Sequence, residues 1–173
     1  MNKAIFLDRD GTINKVYDKL YVDDVKKVEL LDGVKEGLKK LKKMGYLLVV
    51  ITNQTGVGFW YYTKQQAEAV NDKIQELLWF KFDAIYSCYH HYDDKCDCRK
   101  PWTKNVEKAI KDLNIDVSQS YFIWDKEKDI KTGKNTWCKW TVLISDKKNI
   151  EFETKPDFIV KNILEFANLI EKI

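Results

Sequence analysis

Apolar residues come in short continuous runs separated by longer amphipathic stretches. The runs are AIFLD (4–8), YLLVVIT (46–52), DAIYSC (83–88), YFIW (121–124) and WTVLI (140–144), with DFIV (157–160) as a shorter extra. Runs of this length without alternation predict strands buried on both faces. Between them, apolar residues recur at helical spacing. Helices are predicted over 32–44, with Val34, Leu38 and Leu41 on one side, over 63–80 with Thr63 as N-cap, over 103–113 after Pro101, over 127–136 and over 161–172. Strands alternating with helices predict a single Rossmann-like three-layer α/β domain over 1–173, with a central, mostly parallel sheet of five or six strands.

Polar clusters follow the predicted strands. Asp8 and Asp10 follow the first, Thr52-Asn53-Gln54 the second, a Cys/His cluster and Arg99-Lys100 the third, and Asp125 with Asp129 the fourth. Parallel sheets of this kind gather ligands at the carboxyl ends of their strands. Turn chemistry would explain any one cluster, but not the set.

The residue types suit phosphoryl transfer. Hard carboxylate oxygens suit Mg²⁺. One carboxylate can be a nucleophile and a second can act as general acid and then general base. A hydroxyl and a lysine can meet the charge spread over a transferring phosphoryl group. Metal and lysine would also neutralise the carboxylates that the chain buries at the end of an apolar strand.

Three of the four cysteines, at 88, 96 and 98, crowd beside His90 and His91. This reads as a metal site rather than a disulfide framework. Three thiolates and an imidazole would make a closed tetrahedral zinc set, and a closed set is structural. Either histidine could supply the imidazole. Cys138 lies far from the cluster and reads as a small buried apolar residue.

These residues carry a resemblance. FLDRDGT resembles the first motif of the haloacid dehalogenase-like phosphatase superfamily, ITNQ its second, Lys100 its third-motif lysine and IWDKEKD its fourth. LDRDGTIN, TNQTGVG and C-x-H-x5-C-x-C-R-K-P are similar to the branch that holds D-glycero-D-manno-heptose 1,7-bisphosphate phosphatases and histidinol-phosphate phosphatase domains. MNKAIFLDRD lacks a signal-peptide pattern and every apolar run is short, which reads as a cytoplasmic protein. The resemblance implies a Mg²⁺-dependent sugar-phosphate phosphatase with a zinc loop at 88–98 and no large cap. It implies Asp8 as nucleophile and Mg²⁺ ligand, and Asp10 as acid/base with its carbonyl on Mg²⁺. It implies Thr52, Asn53, Arg99 and Lys100 on the substrate, Asp125 on Mg²⁺ and Asp129 orienting that end. Zn²⁺ would take Cys88, Cys96, Cys98 and, by the family match, His90.

The chain departs from that pattern at bulky residues. Trp124 stands where the family has Gly before the fourth-motif Asp, Phe59-Trp60 replace Arg-Gly, Tyr89 and Tyr92 replace prolines, and Trp137 and Trp140 fall where Gly is common. Only 7 Gly and 2 Pro accompany 6 Trp. An indole at 124 either crowds the site or points away from it. The first possibility motivates a rival reading, a catalytically silent binding module that keeps the fold. A third reading, a phosphatase that processes nucleic-acid ends, meets a net charge of only +3 with no concentrated basic patch. The expected partner is a small phosphorylated substrate, with no nucleic acid, no membrane and a monomeric chain. Phosphate release from each candidate ester separates the readings.

Overall fold

The computed structural model describes residues 1–17, 21–147 and 151–172, without the side chains at 127 and 128. Strands β1 (Ala4–Leu7), β2 (Leu47–Asn53), β3 (Ala84–Cys88), β4 (Tyr121–Trp124), β5 (Trp140–Ile144) and β6 (Phe158–Val160) form one sheet in the order β3-β2-β1-β4-β5-β6. Every pairing is parallel. The sheet therefore has six strands, the upper of the two expected counts. The longer helices are α1 (Val34–Lys43), α3 (Lys64–Leu78), α4 (Lys104–Leu113), α5 (Glu127–Asn135) and α6 (Ile163–Ile170), each within a few residues of its expected span. A short helix α2 (Thr55–Gly58) and two 3-10 turns, at Val25–Lys27 and Val117–Gln119, have no counterpart in the sequence reading. They are too short to show a period.

Side chains of β1 divide between two cores. Ile5 and Leu7 pack with Val34, Leu38, Leu41, Val70, Ile74 and Phe166 on one face. Ala4 and Phe6 pack with Val106, Ala109, Phe122, Trp124 and Ile130 on the other. Each strand side chain meets a helix layer whichever way it points, which explains the unbroken apolar runs. Thr63 caps α3 as expected, in a full capping box with Gln66. Gly37 lets α6 approach the backbone of α1, since a Cβ there would lie 2.7 Å from the Ile163 carbonyl carbon.

Chain order reverses at β1, which lies between β2 and β4. The carboxyl ends of β1, β2 and β4 thus open onto one crevice, the position such sheets use for ligands.

Trp124 points away from that crevice. Its ring is fully buried, 3.9 Å from the Phe122 ring centroid and against Gly133 of α5. Three other tryptophans hold left-handed backbone, Trp60 (φ 61°), Trp79 (φ 66°) and Trp137 (φ 58°). The sequence reading of position 137 as a glycine-like site has this physical basis. Trp140 instead sits in β5 and packs between Tyr121 and Phe158.

Candidate active site

Asp8 leaves β1 with its carboxylate Oδ1 taking the Arg9 amide N–H at 2.7 Å and the Lys100 ammonium at 3.0 Å. The same ammonium lies 3.4 Å from Asp129 Oδ2. Lys100 is buried, and burial alone would push its proton off. Asp129 and Asp8 outweigh that and hold the amine above its ordinary range. Asn53, at the end of β2, fixes the lysine backbone from both sides: its Oδ1 accepts from Lys100 N–H at 3.1 Å and its Nδ2 donates to Lys100 O at 3.2 Å.

Asp10 is also buried. Burial raises its carboxyl, and the Arg9 guanidinium with hydrogen bonds from Arg9, Gln54 and Asn14 more than reverses this. Gln54 donates to Asp10 Oδ2 at 2.8 Å and to Thr52 Oγ1 at 3.0 Å, so the two motifs are joined through one amide. Between them lies a cavity of about 270 Å³ lined by Asp8, Asp10, Tyr21, Thr52, Asn53, Thr55, Arg99, Lys100, Lys126 and Asp129. Trp124 is not in its wall. Tyr21 also borders a neighbouring hollow of about 620 Å³, with Tyr17, Lys26 and Lys27.

Asp125 tests the site for a cation. Its carboxyl is pushed up to about 6, first by burial and then by the negative charge of Asp8. Its Oδ1 is buried without a hydrogen-bond partner among the described residues. Gly11 (φ 88°) has no Cβ where one would meet Asp125 Oδ2 at 2.2 Å, so that carboxylate lies close against the Asp10-Gly11 main chain. Two buried carboxylates that repel each other, one with an oxygen left unpartnered among the described residues, fit a hard divalent ion.

The second cluster is compact. The ligand atoms of Cys88, His90, Cys96 and Cys98 all lie within 4.8 Å of one another. Cys88 Sγ is 3.6 Å from Cys96 Sγ, and Cys98 Sγ is 3.3 Å from His90 Nδ1. Two thiolates on one tetrahedral zinc at ~2.3 Å would stand roughly 3.8 Å apart, so the set fits that ion. His91 is turned elsewhere: its Nδ1 accepts from the Asp93 N–H, and its ring packs on Phe59 and Tyr92. The loop is tied to the crevice. Gln54 N–H donates to Cys88 O at 2.7 Å, Arg99 donates to the Thr55 hydroxyl, and a Cβ on Gly58 would meet His91 N at 2.3 Å.

The expected residues therefore converge on two places. Asp8, Asp10, Thr52, Asn53, Arg99, Lys100, Asp125 and Asp129 surround the crevice, while Cys88, His90, Cys96 and Cys98 form the separate cluster. Sequence reading assigned nothing to Arg9, Gln54, Tyr21 or Lys126. Lys126 had a signal, since it directly follows Asp125 at a strand end.

Residues 2–143 match the family model of the haloacid dehalogenase-like hydrolases. The chain belongs to that family. It is 38% identical over 184 residues to the D-glycero-beta-D-manno-heptose-1,7-bisphosphate 7-phosphatase of Haemophilus influenzae, covering 100% of this chain and 99% of the relative. It is 42% identical over 147 residues to the Helicobacter pylori protein of the same name, covering 83% and 84%. Among solved structures, D,D-heptose 1,7-bisphosphate phosphatase from B. bronchiseptica, complexed with magnesium and phosphate, superposes with a TM-score of 0.85 at 22% identity over 99% of each chain. A putative phosphatase of the family from Mesorhizobium loti superposes with a TM-score of 0.84 at 26% identity, over 99% of this chain and 87% of that one. With such relatives and this crevice, the chain is a phosphoric monoester hydrolase of the family.

Proposed function

We propose that this enzyme removes the 7-phosphate of D-glycero-D-manno-heptose 1,7-bisphosphate through a phosphoryl group carried on Asp8. The observation that carries the chemistry is the crevice itself, where a lysine-paired Asp8 faces the same 270 Å³ cavity as Asp10 and Thr52. The substrate is taken from relatives whose whole length this chain spans.

In the first step an Asp8 carboxylate oxygen bonds to phosphorus. The bond from phosphorus to the sugar oxygen breaks, and that oxygen takes a proton from Asp10, which Arg9, Gln54 and Asn14 hold as a carboxylate in the free protein and which enters this step protonated once one of those donors yields. In the second step Asp10, now a carboxylate, takes a proton from water. The water oxygen bonds to phosphorus, the Asp8–phosphorus bond breaks, and inorganic phosphate leaves. Thr52 Oγ1 and the Lys100 ammonium hold the phosphoryl oxygens, and Asp129 keeps Lys100 charged and in place. Asn53 acts through the Lys100 backbone it clamps.

Mg²⁺ would sit on Asp8, Asp125 and the Asp10 carbonyl, where it supplies positive charge beside the phosphoryl oxygens. Zn²⁺ on Cys88, His90, Cys96 and Cys98 would be structural and would fix the chain that leads into Arg99 and Lys100. Arg99 and Lys126 bring further positive charge to the cavity wall, which suits the second phosphate of a bisphosphate.

The test is phosphate release from heptose 1,7-bisphosphate and from histidinol phosphate, with and without Mg²⁺, on protein of known zinc content. Mg²⁺-dependent release from the heptose ester is expected, with histidinol phosphate slower by at least tenfold. Preference for histidinol phosphate would overturn the substrate, and no release from either in folded, zinc-loaded protein would overturn the activity.

A further inference from the structure

Arg9 stands between the two motif aspartates, yet its side chain is only 1% exposed. A guanidinium is costly to bury unless every donor is met. Here all are met. Nε donates to Asp10 Oδ1 at 3.1 Å and Nη2 to Asp10 Oδ2 at 2.9 Å, a two-pronged grip on one carboxylate. The second Nη2 hydrogen goes to Gln54 Oε1 at 2.8 Å, and Nη1 serves Ala67 O at 3.2 Å and Asn71 Oδ1 at 3.0 Å. Ala67 and Asn71 are one turn apart on α3, so a rigid helix holds the far end of the fork.

Asp10 is filled from its own side. Its Oδ1 takes Arg9 Nε and Asn14 Nδ2 (3.0 Å), and its Oδ2 takes Arg9 Nη2 and Gln54 Nε2. Four donors occupy the acceptor sites of the carboxylate and fix its plane, and one of them yields its place when Asp10 carries a proton. Gln54 is locked in turn, because its Oε1 also accepts from Tyr62 Oη at 2.8 Å.

We propose that Arg9 is a positioning residue, which transmits the rigidity of α3 to Asp10 and fixes the direction in which that carboxyl meets the leaving oxygen and the attacking water. The inference rests on the reading of Asp10 as acid/base. Misplacing a reacting group by an ångström can cost about a hundredfold in rate. Lysine cannot replace the fork, because it offers one compact charge without paired, coplanar donors.

The experiment uses 4-nitrophenyl phosphate, whose leaving group departs without a proton. An early burst of nitrophenolate then reports transfer to Asp8, and the steady state reports water attack assisted by Asp10. In Arg9→Lys we expect a burst of about one equivalent per enzyme, kcat and KM both reduced at least tenfold, and kcat/KM changed less than threefold, since only the step after transfer to Asp8 is slowed. Asn71→Ala should move kcat the same way by about threefold, and Asn71→Asp, which keeps an acceptor for Nη1, should restore it. Burst and kcat falling in proportion would mean that Arg9 only holds the fold, and would overturn the proposal. Unchanged kcat in Arg9→Lys and Asn71→Ala would do so too. If Arg9→Lys does not fold, the Asn71 pair decides. Asp10→Asn run alongside separates the two levels, since full turnover there would sink the acid/base reading itself.

Discussion

At the residue scale, the site is governed by charges that burial would forbid without partners. Lys100 holds Asp8, Asp129 holds Lys100, and Arg9 holds Asp10. On the proposed mechanism, Asp8→Asn removes the nucleophile and should reduce phosphate release more than about a thousandfold, while circular dichroism and zinc content stay unchanged. Turnover near the unaltered rate would sink the nucleophile. Asp125 has no ion pair of this kind among the described residues, and burial with the charge of Asp8 raises its carboxyl to about 6 in the protein without metal. Its contribution to stability is therefore present below the ordinary carboxylate range and lost as pH rises through about 6. The loss is on the order of 3 kcal/mol. Without added magnesium, Asp125→Asn should match the unaltered protein near pH 4 and melt higher at pH 7. Equal melting temperatures at both pH values would contradict the burial of that charge. These pairings were only partly legible in the sequence. The carboxylates and Lys100 announce themselves by type and place, whereas Arg9 reaches α3 across 58 and 62 residues, a separation no local pattern encodes.

At the scale of elements, strands and helices were legible because burial on both faces writes continuous apolar runs, and one-sided burial writes a helical period. Element ends follow local chemistry, as in the Thr63–Gln66 capping box. The contact of α1 with α6 was not legible, since it depends on one small side chain. Gly37→Ala should lower stability by about 1–3 kcal/mol despite its better helix propensity, because the new Cβ meets backbone that cannot move aside. Denaturant unfolding would measure it, and an unchanged midpoint would argue against the close approach. Trp137 presents the opposite case. It is 83% exposed on left-handed backbone. Trp137→Gly should raise stability by up to about 1 kcal/mol through relief of the strained φ. A lower melting temperature would show that the indole contributes more than the backbone costs.

At the scale of the whole molecule, β1 brings together what the sheet order separates in sequence, and the Cys/His loop ties β3 to the crevice. With zinc on the proposed Cys/His site, its removal should therefore be felt at a distance. Chelation of zinc with Mg²⁺ in excess is expected to lower the melting temperature and to raise KM for the bisphosphate at least fivefold, since Arg99 and Lys100 directly follow Cys98. Unchanged KM in zinc-free protein would show that the loop does not support those two residues. Trp124 belongs to this scale as well. Its seat between Phe122 and Gly133 removes the reason to expect a crowded crevice.

Sequence alone determined the alternating architecture, the strand ends that carry chemistry, and the two sets of candidate ligands. Each is written by local periodicity or residue type, and local patterns survive without knowledge of neighbours. Tertiary structure decided that six strands pair in one parallel sheet and that His90 rather than His91 joins the cysteines. It also decided that Trp124 turns into the core and that a buried arginine binds Asp10 to α3. Those outcomes depend on which surfaces meet across tens of residues, and packing settles them only when the sheet has formed.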